Sequence, residues 1–236
     1  MSETSSSTPK PSNRRLFRWL LAAFVLAVMI TVIAVALPIY RDHQAAREWE
    51  QLGGHVLWSD LGERLANPHD NSLRRRVKGW FQHASVAEYR VGKHTLNDLL
   101  PLIRDFRKLD GIGLMNTPTT AEDIREIANQ HPGLKYLALE QCGVDDAALR
   151  EIGRLQPLKQ LMLTGASISD QGISHLSRLE HLQTLGLSQT EITDEGLWKL
   201  RTLKNLRELD LSNTLVTDEG VERLRAEIPA LEVWDD

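Results

Sequence analysis

The chain has 236 residues, of which 42% are hydrophobic and 25% charged, the profile of an ordinary globular protein with room for one or two domains. Its formal charge of −4 is unevenly spread: Glu3, Lys10, Arg14, Arg15 and Arg18 precede a long apolar run, leaving 24 basic and 31 acidic residues, a net −7, for the remainder. A mildly acidic body argues against a nucleic-acid partner, and the single cysteine, Cys142, excludes an intramolecular disulfide and any zinc site built on several thiolates.

Residues 1–15 are rich in Ser, Thr and Pro and are expected to form a disordered tail. From Trp19 to Tyr40 the chain runs 22 residues without a charge. As a helix rising ~1.5 Å per residue this run matches the ~30 Å hydrocarbon core of a bilayer. Residues 16–40 are therefore expected to be a transmembrane signal-anchor helix, with Trp19 and Tyr40 at the interfaces. The basic residues before the run put the tail in the cytoplasm and everything after Tyr40 outside the inner or plasma membrane. The competing expectation is a cleaved signal ending at Ala34-Val35-Ala36, which gives a periplasmic or secreted protein; the length of the run favours the anchor.

Residues 41–85 are expected to form a juxtamembrane helix and an N-terminal cap. Arg41 to Leu52 reads as a helix that Gly53 and Gly54 end, and His55 to Trp58 alternates as a short strand. The basic run Arg74-Arg75-Arg76-Val77-Lys78 reads as a solvated helix face, with anionic headgroups as a secondary contact.

Beyond the cap the sequence repeats. Leu134, Leu158, Leu182 and Leu206 open four units in a common register, the first three of them 24 residues long, and "LEVWDD" opens a fifth that stops after its strand. A unit at 109–133 fits with Ile112 and Leu114 in place, and one at 86–108 fits loosely through Val86, Tyr89 and Val91, which makes six repeats and a closing strand over 86–236. Each unit opens L-x-x-L-x-L, whose period of two predicts a strand with one apolar face. Apolar residues three apart then follow, as at Leu149, Ile152 and Leu155, and predict one face of a helix. No unit buries its leucines alone, so the strands are expected to stack into a parallel sheet with the helices outside it and one shared core.

"ITDEGL" at 192–197 and "VTDEGV" at 216–221 are the most specific stretches. With them the pattern resembles the leucine-rich repeat family, in its cysteine-containing subclass also found in the repeat domains of F-box-type adaptors. The resemblance covers 109–236 strongly and 86–108 weakly. Membrane-anchored bacterial proteins with a few such repeats behind an uncleaved helix resemble the whole chain more closely than the adaptors do, since no F-box-like helical module is read ahead of the repeats. The resemblance implies an α/β solenoid, strands concave and helices convex, that binds protein partners without being an enzyme.

Asp145-Asp146, Ser169-Asp170, Thr193-Asp194 and Thr217-Asp218 recur one repeat apart at the strand-to-helix turn. A shared register points to helix N-caps, with the second acid meeting the positive helix end. One acid per turn is too sparse for the six to eight oxygens of a calcium site. Cys142 falls where other repeats carry Thr117, Ala166, Thr190 and Thr214, a place for a small buried group. His175 and His181 find no third ligand by spacing, so neither metal nor cofactor is expected.

The binding candidates are the x positions of the strands. One column reads Glu88, Gly111, Tyr136, Gln160, Thr184 and Glu208, the next Arg90, Gly113, Ala138, Met162, Gly186 and Asp210, flanked by Glu140, Thr164, Ser188 and Ser212. From these, Glu88, Arg90, Tyr136, Glu140, Gln160, Met162, Thr184, Glu208, Asp210 and Ser212 are the expected contacts for a protein partner. Two alternatives stand beside this reading: an F-box-like substrate adaptor, and an enzymatic or metal-dependent role for the cap at 41–85.

Overall fold

Within residues 13–59, 83–89, 96–106 and 109–235, which the computed structural model describes, both periodicities produce the elements they predict. The order is α1 (Asn13–Gln51), β1 (Gly54–Ser59), β2 (His83–Tyr89), α2 (Leu96–Asp105), β3 (Gly111–Met115), α3 (Ala121–Gln130), β4 (Tyr136–Glu140) and α4 (Asp146–Ile152). There follow β5 (Gln160–Met162), α5 (Asp170–Ile173), β6 (Thr184–Gly186), α6 (Asp194–Lys199), β7 (Glu208–Asp210), α7 (Asp218–Glu227) and β8 (Glu232–Trp234). One eight-stranded sheet runs in chain order, with β1 antiparallel to β2 and every later pair parallel. Its ladder advances by one carbonyl per repeat. Lys135 C=O accepts from Lys159 and Gln160 N–H, Lys159 C=O from Gln183 and Thr184, and Gln183 C=O from Arg207 and Glu208.

The leucines of the motif all point into the space between sheet and helices. Leu137, Leu161, Leu185 and Leu209 are fully buried, as are the helix residues Leu149, Ile152, Ile173 and Leu224 that meet them. They belong to one continuous core that extends to Trp49 of α1. The repeats have no separate cores because each inner strand is flanked by two others, so its Leu residues pack on the equivalents before and after them.

The end of the core is closed by α1. Ala45, Ala46 and Trp49 on its last turns are buried, and the Trp49 ring meets Phe106 edge-on with centroids 6.4 Å apart. A side chain at Gly54 would strike the Trp49 indole, so the residue that opens β1 has to be glycine. Arg41 reaches Asp105 at 2.8 Å across the same joint. Gly53, at φ 93°, makes the turn between α1 and β1 in the left-handed region. His131, buried, donates from Nε2 to the Ile103 carbonyl at 2.9 Å, tying α3 to α2, and burial holds its pKa below the usual histidine value.

Two expectations need correction, and one is not established. The helix expected to begin at Arg41 is the end of one 39-residue helix that starts at Asn13. Among the described residues no helix is long and apolar enough to cross a membrane, so the transmembrane helix expected at 16–40 is not established by the fold. The backbone of that segment belongs to α1, most of its side chains lie outside the described residues, and those described include Leu26, Met29, Ile30, Ile33, Leu37 and Tyr40, all at least half exposed. Third, the loose first repeat is out of register: Ala87, not Val86 or Tyr89, pairs with Ile112, and Glu88 pairs with Gly113. Alternation along a strand does not distinguish registers two residues apart, and the slip of two moves Glu88 one column along. Of the disordered tail expected at 1–15, residues 13–15 belong to α1 and residues 1–12 lie outside the described residues, as does the basic run at 74–78.

Candidate functional site

The Thr-Asp turns have a structural task that the motif alone did not reveal. The first residue of each pair caps its helix as expected: Asp145 accepts from Ala148 N–H, Ser169 from Gln171 and Gly172, Thr193 from Glu195 and Thr217 from Gly220. The second residue does not serve its own helix alone. Asp146 accepts from Ser169 N–H at 2.8 Å and from its hydroxyl at 2.5 Å. Asp170 accepts from Thr193 N–H at 3.0 Å and hydroxyl at 2.6 Å, and Asp194 from Thr217 at 2.9 and 2.7 Å. Each carboxylate therefore grips the cap of the next repeat with two charge-assisted bonds. Gly172, Gly196 and Gly220, three residues into the motif from each gripped cap, leave the room: a Cβ there would collide with the carboxylate of Asp146, Asp170 or Asp194. At the turn before α3, Thr120 is served by Asp123 of its own helix in a capping box. The acids thus hold repeats in register and are engaged in the chain's own bonds.

Cys142 is buried, with Sγ 3.3 Å from the carbonyls of Leu114 and Glu140, and burial pushes its thiol pKa up. Thr190 and Thr214 use their hydroxyls the same way at 2.6 and 2.7 Å, on Leu187 and Leu211 carbonyls. Cys142→Thr is expected to change stability by no more than about 1 kcal/mol, and native Cys142 is expected to resist iodoacetamide until the chain is unfolded, as read by mass spectrometry.

On the helix side Glu151, 8% exposed, is held by Arg154 at 2.6 Å and Arg125 at 3.3 Å. The bond from Arg125 is the largest cause that lowers its pKa. A carboxyl depressed on folding stabilises the fold above its unfolded pKa and loses that contribution as pH falls through the folded value. Glu151→Gln is therefore expected to be less stable than the parent at pH 7, with the gap closing below about pH 4.5, the ordinary glutamate value, in urea melts across pH.

Among the described residues no group of three or more His, Cys, Asp or Glu side chains is placed to hold a metal. What remains is the face of the sheet turned away from the helices. The parallel register sets Gly111, Tyr136, Gln160, Thr184, Glu208 and Glu232 in one column and Gly113, Ala138, Met162, Gly186, Asp210 and Trp234 in the next. Of the expected contacts, eight therefore fall together: Tyr136, Gln160, Met162, Thr184, Glu208 and Asp210 in these columns, with Glu140 at the end of β4 and Ser212 just beyond β7. Glu88 stands in the second column, by its pairing with Gly113, and not in the first; Arg90 lies outside the described residues.

Side chains of this face are bonded to each other within and between the columns. Thr184 donates to Glu208 at 3.0 Å, Thr164 and Ser188 share a hydrogen bond of 3.1 Å, and Asp210 accepts from the N–H and hydroxyl of Ser212 at 3.0 and 2.7 Å. The Met162 sulfur lies where a Cβ on Gly186 would sit. The rim beyond the strands carries Asn116, Gln141, Gln189 and Asn213, all in the left-handed region, and Gln141 donates to Gln189 at 2.9 Å across Gly165. The sequence reading missed Trp234, half exposed and opposite Asp210. Laying "LEVW" on "LREL" sets Trp234 against the inward Leu209; only the pairing of β7 with β8 puts it opposite Asp210.

The strand-and-helix units and their interlocked turns form an α/β repeat array, a leucine-rich-repeat-like fold. Residues 178–200 and 202–224 each match the Leucine Rich repeat family model. A putative F-box/LRR-repeat protein 23 of Arabidopsis thaliana is 27% identical over an alignment of 168 residues that covers 66% of this chain and 37% of that protein. The chain thus spans little more than a third of the length of that relative. Internalin C2 of Listeria monocytogenes shares the fold with a TM-score of 0.50 at 19% identity, over 71% of this chain and 76% of its own. A second Listeria monocytogenes internalin, inlF, gives a TM-score of 0.45 at 23% identity, over 58% and 37%.

Proposed function

We propose that the chain is a non-enzymatic, membrane-anchored module that binds a protein segment on the open face of its leucine-rich repeats, outside the inner or plasma membrane. The observation that carries the binding role is the alignment of side chains from β4 to β8 into columns that no described element of the chain covers. Such faces recognise partners because adjacent strands present side chains ~4.8 Å apart on a rigid support. A photoreactive residue at position 136, introduced in place of Tyr136, is expected to crosslink a protein in envelope extracts, and the same residue at Glu126 on the helix side is not. Capture from both positions, or from neither, rejects the binding face.

The anchor is supported by the uncharged run at 19–40, by the basic residues ahead of it, and by the exposed apolar side chains that α1 carries there. A reporter fused after Asp236 is expected to read as exported, and the chain to stay with membranes in alkaline carbonate. The F-box-like adaptor is the second reading, favoured by the Arabidopsis thaliana relative; a cytosolic reporter signal decides for it.

A further inference from the structure

On the reading that the open face binds protein, we propose that it takes a cationic extended segment, an arginine- or lysine-bearing stretch of the partner, with one such side chain seated against Trp234. The two columns and their flank hold Glu140, Glu208, Asp210 and Glu232 from β3 to β8 and neither lysine nor arginine. The cations nearest in sequence, Lys135, Lys159 and Arg207, stand one residue before the strands, and Lys135 is already bonded to Asp110 at 2.9 Å.

The charge is concentrated at one end. On β3 and β4 the columns are neutral, Gly111, Gly113, Tyr136 and Ala138, whereas β7 and β8 place Glu208 opposite Glu232 and Asp210 opposite Trp234. Like charges directly opposite across a ladder are unfavourable. The hydroxyl of Thr184 on Glu208 and the Ser212 donors on Asp210 do not neutralise them. A cation between these strands relieves that repulsion.

Trp234 supplies the second half of the recognition. Its ring is half exposed and lies next to carboxylates on both its own strand and β7. A guanidinium or ammonium over an indole, with carboxylates around it, combines a cation–π contact with charge pairing. The chain already uses the first of these contacts on its helix side, where Arg223 and Arg201 lie 3.8 and 5.0 Å from the Trp198 ring centre. Thr184, Gly186 and Ser188 on and after β6 are small and nearly buried, so the floor beside the acidic strands is low enough for a backbone to lie on it.

The test uses the full chain in nanodiscs and two fluorescein-labelled decapeptides, one alternating Arg and Thr, the other Glu and Thr, followed by anisotropy at 50 mM salt. The arginine peptide is expected to bind and the glutamate peptide not. Glu232→Gln, which removes no bond within the chain, and Trp234→Ala are each expected to weaken binding at least about fivefold. Glu222→Gln on α7, an equal change of net charge, is expected to leave it unchanged. Loss of the same size in Glu222→Gln, or no preference for the arginine peptide, overturns the proposal. The outcomes separate from those of the binding role itself: a partner captured at position 136 through a segment without cations overturns the cationic recognition and leaves the binding face standing.

Discussion

Trp49→Ala is expected to destabilise the chain by about 3–5 kcal/mol, the range for deleting a fully buried indole, measured by urea unfolding in detergent. The indole is fully buried between Phe106 and the glycine at the start of β1, so its loss opens a cavity at the one place where α1 meets the repeats. Little nearby is free to collapse into that space, because Ala45 and Ala46 are already short and Gly54 has no side chain. A consequence follows for proteolysis. The linkage from α1 to the domain has no flexible spacer, so Trp49→Ala is expected to render the segment around Gly53 sensitive to limited digestion while the Leu core of β4 to β7 stays resistant. Equal stability of Trp49→Ala and the parent removes α1 from the role of cap.

The second large effect concerns the interlock between repeats. Asp170→Ala leaves the Thr193 N–H and hydroxyl without their acceptor and is expected to cost about 2 kcal/mol, within the usual penalty for orphaning partly buried groups bonded to a charge. Gly196→Ala pushes its new methyl into the Asp170 carboxylate and toward Ile192, displacing the same two bonds, and is expected to cost a similar amount. The double variant is then expected to be little worse than Asp170→Ala by itself, since the added methyl enters the space the carboxylate vacated. Additive losses in this double-mutant cycle would falsify the view that the glycine exists to admit the acid.

These two predictions mark where the sequence was legible and where it was not. Strand and helix followed directly from spacing, because a period of two and a period of three to four are local consequences of backbone geometry. The caps at Ser169, Thr193 and Thr217 were legible for the same reason: the donors they satisfy lie two or three residues away. The role of Asp146, Asp170 and Asp194 was not, since their partners lie 23 residues downstream and come into reach only when repeats stack. Only the neighbouring repeat gives the glycine of "TDEG" a reason. The weak first repeat shows the limit from another side. The column of Glu88 was misread, because alternation fixes parity while strand pairing fixes register.

The candidate face was legible as a list of x positions and incomplete as a surface. Tyr136, Gln160, Thr184 and Glu208 could be aligned by counting, but the exposure of Trp234 and the acid on the next strand beside it emerge only from the pairing of β7 with β8. By itself, then, the sequence determined the period, the elements, the inward leucines and the helix caps, all of which depend on contacts within one turn or one strand. The tertiary structure alone decided the register of the first repeat, the closure of the core by Trp49, the Asp-to-cap interlock and the acidic strands around Trp234, because each depends on residues that chain separation keeps apart until the sheet forms.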